Sequence, residues 1–186
     1  MPQTALNRWT SVHSYRASWG ERSKALLDLF LGAYPNEEET SFSEYGCGPN
    51  QPFYKAVNSK FHCARYDIKL WNNDCRFVDL NNPHFEVEKT DVAVLSGVME
   101  YMNKPEFTIS RLSQFHRYML LSYHPVQNFH MTSGGVISEI SERAEKNGWR
   151  NHLSVERLIN AISVSGYPVA IKKSRKQLLA LVEFHS

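Results

Sequence analysis

Thr40-Ser41-Phe42-Ser43-Glu44-Tyr45-Gly46-Cys47-Gly48-Pro49-Asn50 is the stretch on which the fold turns. Its first six residues are strand-like, and Gly46 and Gly48 then let the backbone turn tightly and approach a ligand without an intervening side chain. Taken alone, Gly-x-Gly-Pro-Asn describes a plain turn as well as a nucleotide-binding loop. Its weight comes from the strands downstream. Phe61 to Tyr66 reads as a second strand closing on Asp67, Phe77-Val78 as a brief third ending at Asp79, and Asp91 to Leu95 as a fourth. The fourth is an unbroken apolar run between Thr90 and Ser96-Gly97, the pattern of a strand buried on both faces of a parallel sheet.

Helical spacing fills the intervals. Ala25, Leu26, Leu29 and Phe30 predict an amphipathic helix over Glu21 to Gly32, with Gly32 as its stop. A weak helix is expected over Gln51 to Ser59, and others over Pro105 to Phe115 and Val136 to Asn147, the last capped by Gly148. A fifth strand is expected over Tyr118 to Tyr123, followed by a loop from His124 to Gly135. Ser154 is placed to cap a helix reaching Ala161 or Ile162, with Gly166 ending it. Val169 to Lys172 and Leu178 to Phe184 then form a closing antiparallel hairpin, and Lys172, Lys173, Arg175 and Lys176 read as its solvated turn. Alternating strands and helices imply a doubly wound α/β sheet, whose ligands sit at the carboxyl ends of the strands where strand order reverses.

A chain of 186 residues fits one domain, with residues 1–35 expected as an N-terminal helical lid segment and 40–186 as the α/β core. Charged residues at 22% and apolar residues at 42% are globular proportions. The longest apolar runs, such as Leu178 to Val182, fall far short of the roughly 20 residues that span a bilayer, so no membrane insertion is expected. Met1 to Thr10 carries one arginine and no apolar stretch, so no secretory signal is expected either, and three cysteines do not make a disulfide framework. These features point to a cytoplasmic protein. A net charge of +2 is too mild for a nucleic-acid footprint.

Asp67, at the end of the second strand, can accept hydrogen bonds from two ribose hydroxyls, each worth roughly 1.5 to 3 kcal/mol because the acceptor is charged. Its competing role is a helix N-cap. Asp79, twelve residues on, can accept from an adenine amino group or simply hold a turn.

Together Glu44 to Asn50, Asp67, Asp79 and Thr90 to Tyr101 resemble, in order and spacing, the motifs of class I S-adenosylmethionine-dependent methyltransferases. The resemblance spans residues 40 to 184 and includes the terminal hairpin, which separates this family's sheet from dehydrogenase sheets. It implies a Rossmann-like α/β fold: a seven-stranded, mostly parallel sheet with a C-terminal antiparallel hairpin and helices on both faces. It also implies S-adenosylmethionine as cofactor, with Glu44 at its methionine end, Gly46 and Gly48 packed against it, Asp67 on the ribose and Asp79 beside the adenine. The segment from Ser96 and Gly97 to Val98 would line the transferred methyl. Asn50 departs from the family, where a third glycine is usual; asparagine tolerates left-handed backbone better than most residues.

Methyl transfer asks mainly for alignment of acceptor and sulfur, so a dedicated base is optional. If the acceptor is a hydroxyl, His124, Tyr123, Tyr101 and Glu100 lie at or just after the ends of the fourth and fifth strands. His124, His130 and His152 are expected to be solvent-exposed loop residues. Cys47, Cys63 and Cys75 lack metal-ligand spacing, so no metal is expected, and Cys47 reads as a packing residue. Trp149-Arg150-Asn151-His152 is either part of an acceptor wall or a packed connector. The function implied is methyl transfer to a small-molecule acceptor, through a hydroxyl or carboxyl of a metabolite or sugar. The alternatives are a non-catalytic methyltransferase-like partner domain and a nucleic-acid methyltransferase. Against the latter, the fourth strand leads into Ser96-Gly97-Val98-Met99 rather than an Asn/Asp-Pro-Pro-aromatic turn. Acceptor specificity is expected from the N-terminal aromatics Trp9, Tyr15 and Trp19 and from the loop His124 to Gly135.

Overall fold

The computed structural model describes residues 17–36, 39–128 and 135–185. In chain order its elements are α1 (Ala17–Ala33), β1 (Phe42–Tyr45), α2 (Pro52–Val57), β2 (Cys63–Asp67), β3 (Cys75–Phe77), β4 (Val92–Ser96), α3 (Pro105–Leu112), β5 (Tyr118–Tyr123), α4 (Gly135–Asn147), α5 (Val155–Ser163), β6 (Gly166–Ser174) and β7 (Gln177–Phe184). Short 3-10 turns at Met99–Tyr101 and Val126–Asn128 come after β4 and β5.

The strands form a seven-stranded sheet in the order β3-β2-β1-β4-β5-β7-β6. β1 to β5 are parallel, and β7 pairs antiparallel with both β5 and β6. Strand order reverses between β1 and β4, so their carboxyl ends leave a crevice. β4 shows why this strand is central. Its five residues are all buried, with Val92 and Val94 in one apolar layer beside Leu26, Phe30 and Phe53, and Ala93 and Leu95 in the other beside Ile109, Leu112 and Leu158. Side chains alternate across a strand, so an all-apolar run fits a site covered on both faces: α1 and α2 on one, α3 and α5 on the other. Burying a side chain such as Leu95 contributes about 2 kcal/mol. Two polar pairs lie inside: Tyr45 Oη is 2.7 Å from His116 Nε2, and Ser43 Oγ 2.9 Å from Thr90 Oγ1.

Several sequence expectations need correction. α1 starts at Ala17 and passes through Gly32 to Ala33, with Leu26, Leu27 and Phe30 buried against the sheet, so this part of the chain packs into the core. Trp9, Tyr15 and His130 lie outside the described residues. α3 ends at Leu112, three residues early, because Phe115 and His116 already turn back through bonds to Leu112 O. Gly166 does not end a helix; it opens β6, where a Cβ would stand 2.4 Å from Glu183 O across the ladder. Ser154 does cap α5, accepting from Arg157 N at 3.1 Å. Gly148, at φ 72°, stands just beyond α4 as a left-handed terminus. Among the described residues no helix is long and apolar enough to cross a membrane.

Candidate functional site

A cavity of about 580 Å³ opens over the carboxyl ends of β1 to β5, the place a doubly wound sheet reserves for ligands. Its walls include Glu44, Gly46, Gly48, Asp67, Asp79, Ser96 and Gly97, so the fold gathers these sequence candidates into one site.

The glycine loop is built by close approach. Gly46 holds φ 66° with its N–H donating to Tyr66 O at 2.8 Å, and a Cβ there would fall 2.6 Å from Val98 Cγ2. Gly48, at φ 61°, differs: a Cβ would meet nothing within 4 Å, which leaves its face open. The left-handed residue near the loop's end is Gln51, at φ 47°, not Asn50. Cys47 is buried with its Sγ 3.6 Å from Cys75 Sγ, which supports the packing role.

The acidic residues are already engaged. Glu44 is 1% exposed, and its two oxygens accept from Phe53 N and Tyr54 N, each at 3.0 Å. It therefore caps the first turn of α2 and sets the loop; it does not present a free carboxylate. Burial pushes its carboxyl up to about 7, against the two amide bonds, with the nearby charge of Asp67 adding to the rise. Asp67 Oδ2 accepts from Gly48 N at 2.8 Å and Oδ1 from Lys69 N at 3.2 Å, so it ties the end of β2 to the glycine loop. Burial raises its carboxyl too, opposed by the Gly48 bond. Asp79 Oδ1 accepts from Asn81 N at 2.9 Å, the turn role, while the residue still borders the cavity.

The β4 and β5 ends hold groups that the sequence did not place there. Arg22, one turn into α1, donates from Nε to Ser96 Oγ and from Nη2 to Ser96 O, both at 2.9 Å. Its guanidinium lies against Gly97, where a Cβ would be 2.6 Å from Nη1, so Gly97, at φ 73°, makes room for it. Burial lowers the pKa of Arg22, and the charge of Glu100 opposes this. No sequence signal joins residues 22 and 96; only packing of α1 across β4 does.

The candidate bases separate. Tyr123 is fully buried, donates to Asn151 Oδ1 at 2.7 Å and accepts from Leu153 N at 2.6 Å, so it anchors the connector instead of facing the cavity. Burial raises its pKa. Tyr101 borders the cavity, its Oη accepting from Trp149 Nε1 at 3.0 Å. His124 is buried, against the expectation of exposure: its N–H donates to Glu100 Oε1 at 3.0 Å, and its ring meets Trp149 edge-on at 5.6 Å. Residues 149–152 divide between the cavity and the core. Trp149 borders the cavity with Arg143 4.9 Å over its ring, while Asn151 Nδ2 donates to Met99 O and Met102 O. Of the basic residues near the C-terminus, Lys172 and Lys173 lie on β6, and only Arg175 and Lys176 form the hairpin turn, whose tip reaches the cavity mouth, where Arg175 pairs with Glu21 at 2.9 Å.

No protein-family model and no curated protein sequence matches the chain. Solved structures do. The chain is similar to the 1,6-didemethyltoxoflavin-N1-methyltransferase of Burkholderia thailandensis, crystallised with 1,6-didemethyltoxoflavin and S-adenosylhomocysteine, at 12% identity and a TM-score of 0.63, covering 91% of this chain and 79% of that one. It is similar to the magnesium protoporphyrin IX methyltransferase of Synechocystis PCC 6803, with S-adenosylhomocysteine bound, at 14% identity and a TM-score of 0.58, covering 98% and 95%. A third match is the PH0226 protein of Pyrococcus horikoshii OT3, at 10% identity and a TM-score of 0.66, covering 95% of each chain. With five parallel strands, a reversed β7 and its crevice at β1 and β4, the chain has the Rossmann-like fold of the class I S-adenosylmethionine-dependent methyltransferases.

Proposed function

We propose that the chain binds S-adenosylmethionine in the crevice at β1 and β4 and methylates a small-molecule acceptor through a hydroxyl or carboxyl. One observation carries the reading: Gly48, Asp67, Asp79 and the Ser96-Gly97 end of β4, separated in sequence, wall a single cavity at the switch point. At about 580 Å³ the cavity is within the 300 to 1,000 Å³ typical of small-molecule sites. The residues fit the nucleoside: Gly48 leaves space for close approach, Asp67 offers acceptors to ribose hydroxyls, and Asp79 offers one to an adenine amino group. Glu44 acts indirectly, by fixing the loop through α2.

When bound, the sulfonium supplies an already activated methyl group, so the protein's work is alignment and exclusion of water. Val98, packed under Gly46, and Gly97 set the floor between the strands, and Trp19, Tyr101 and Trp149 supply apolar walls toward β5. Neighbours such as the Burkholderia and Synechocystis enzymes, which carry S-adenosylhomocysteine, support this choice of cofactor. Calorimetry decides it: S-adenosylmethionine and S-adenosylhomocysteine should bind with NAD showing no comparable affinity, and a preference for NAD would overturn the proposal.

A further inference from the structure

Arg22 is fastened to the end of β4. Its Nε and Nη2 donate to Ser96 Oγ and Ser96 O, and the neighbouring Ser23 Oγ lies 3.3 Å from the same Ser96 Oγ. These bonds use one side of the guanidinium only. The group carries five N–H donors, so both N–H groups of Nη1 and the second of Nη2 have no partner among the described residues. Nη1 is not sealed in by protein atoms: it stands over Gly97, where a Cβ would be 2.6 Å from it, and both residues wall the cavity. Its charge is not spent in an ion pair among the described residues either; the buried Glu100 acts on it from further off and is shared with Arg143 of α4. One buried anion set against two cations leaves a fixed positive charge at the β4 end of the cavity, with hydrogen-bond donors still open to an anion.

Resting on the cofactor reading, we infer that Arg22 binds the α-carboxylate of S-adenosylmethionine with the open edge of its guanidinium. Sheet order gives the placement. Asp79, Asp67, the glycine loop and then Gly97 with Arg22 follow one another along β3-β2-β1-β4, so Arg22 stands two strands beyond Asp67, the residue offered to the ribose. Two strand spacings are roughly 10 Å, a step that the cofactor's arm from ribose through sulfur to its amino-acid carbons can span. The carboxylate is the one anionic group on that cofactor. Glu44, expected at the methionine end, is committed to the α2 amides, which leaves recognition of that end to other groups. Ser96 already fixes the direction of the guanidinium, so little side-chain ordering is left for the ligand to offset.

Decarboxylated S-adenosylmethionine tests this without any acceptor, since it keeps the nucleoside, sulfonium and amine and lacks only the carboxylate. By calorimetry the parent protein should bind S-adenosylmethionine at least about tenfold more tightly than the decarboxylated form, the effect of one charge-assisted contact. In Arg22→Gln, which keeps an amide donor for Ser96 but no charge, the two affinities should come within about threefold, with the decarboxylated form bound no more weakly than by the parent. Arg22→Met should give the same result and serves if the glutamine variant fails to fold by its melting curve. A residue that only ties α1 to β4 would weaken both ligands together when replaced. That result, a parent that does not distinguish the two ligands, or a preference that survives in the folded variants overturns the assignment of Arg22 alone. Failure of the parent to bind S-adenosylmethionine overturns the cofactor reading as well.

Discussion

The two rims of the cavity are made in opposite ways. Along β1, β2 and β3 each carboxylate is satisfied by backbone amides of its own neighbourhood: Glu44 by residues 53 and 54, Asp67 by residues 48 and 69, Asp79 by residue 81. Along β4 and β5 the polar groups arrive from distant segments, Arg22 onto Ser96, Trp149 onto Tyr101, and the main chain of 150 and 151 onto Glu100. A rim of local bonds is preformed and geometrically tight; a rim of long-range bonds is set by how helices dock, and it is free to diverge without disturbing the loop. On the function proposed above, the first rim would hold the cofactor's nucleoside and the second would face the acceptor.

The largest test strikes the local rim. Gly46→Ala places a Cβ 2.6 Å from Val98 Cγ2 at φ 66°, and the left-handed strain plus overpacking should cost about 3 kcal/mol in urea unfolding. Gly48→Ala meets nothing and should cost only the backbone part, about 1 kcal/mol. Equal losses at the two positions would show that Val98 does not pack under Gly46.

Glu44 gives a pH signature of similar size. Its folded carboxyl, at about 7, lies above the ordinary value of 4.5, so protonation favours the folded state. That contribution is complete below about pH 4.5 and is lost as pH rises through about 7. The stability of the parent relative to Glu44→Gln should therefore fall by roughly 3 kcal/mol between about pH 4.5 and about pH 8. A difference that stays constant across this window would place Glu44 outside the titration.

Asp67→Ala removes the acceptor offered to the ribose and the tie to Gly48 together, and should weaken S-adenosylhomocysteine binding by more than about tenfold, roughly 1.4 kcal/mol, with the fold retained by circular dichroism. Unchanged affinity in a folded variant would leave Asp67 as a loop tie alone. The smallest effect belongs to the other rim: Trp19→Ala, at the cavity's α1 edge, should leave S-adenosylhomocysteine affinity within about threefold. A large loss there would erase the distinction between the rims.

The same division separates what the sequence determined by itself from the rest. β5 was legible to the residue, β4 nearly so, and the glycine loop, Asp67, Asp79, the Ser154 cap and the closing hairpin were all visible, because strand periodicity, caps and turns are written within a few residues of one another. That locality hid what only tertiary structure decided. Glu44 reads as a ligand-facing acid until α2 folds back and supplies two amides; Tyr123 reads as a candidate base until Asn151 and Leu153 enclose it. Arg22 and His124 look like ordinary surface residues until α1 crosses β4 and Trp149 covers the β5 end. Short-range geometry fixes which bonds a residue makes with its own turn, but burial and charge depend on which distant segment lands on it, and that is settled only when the layers pack.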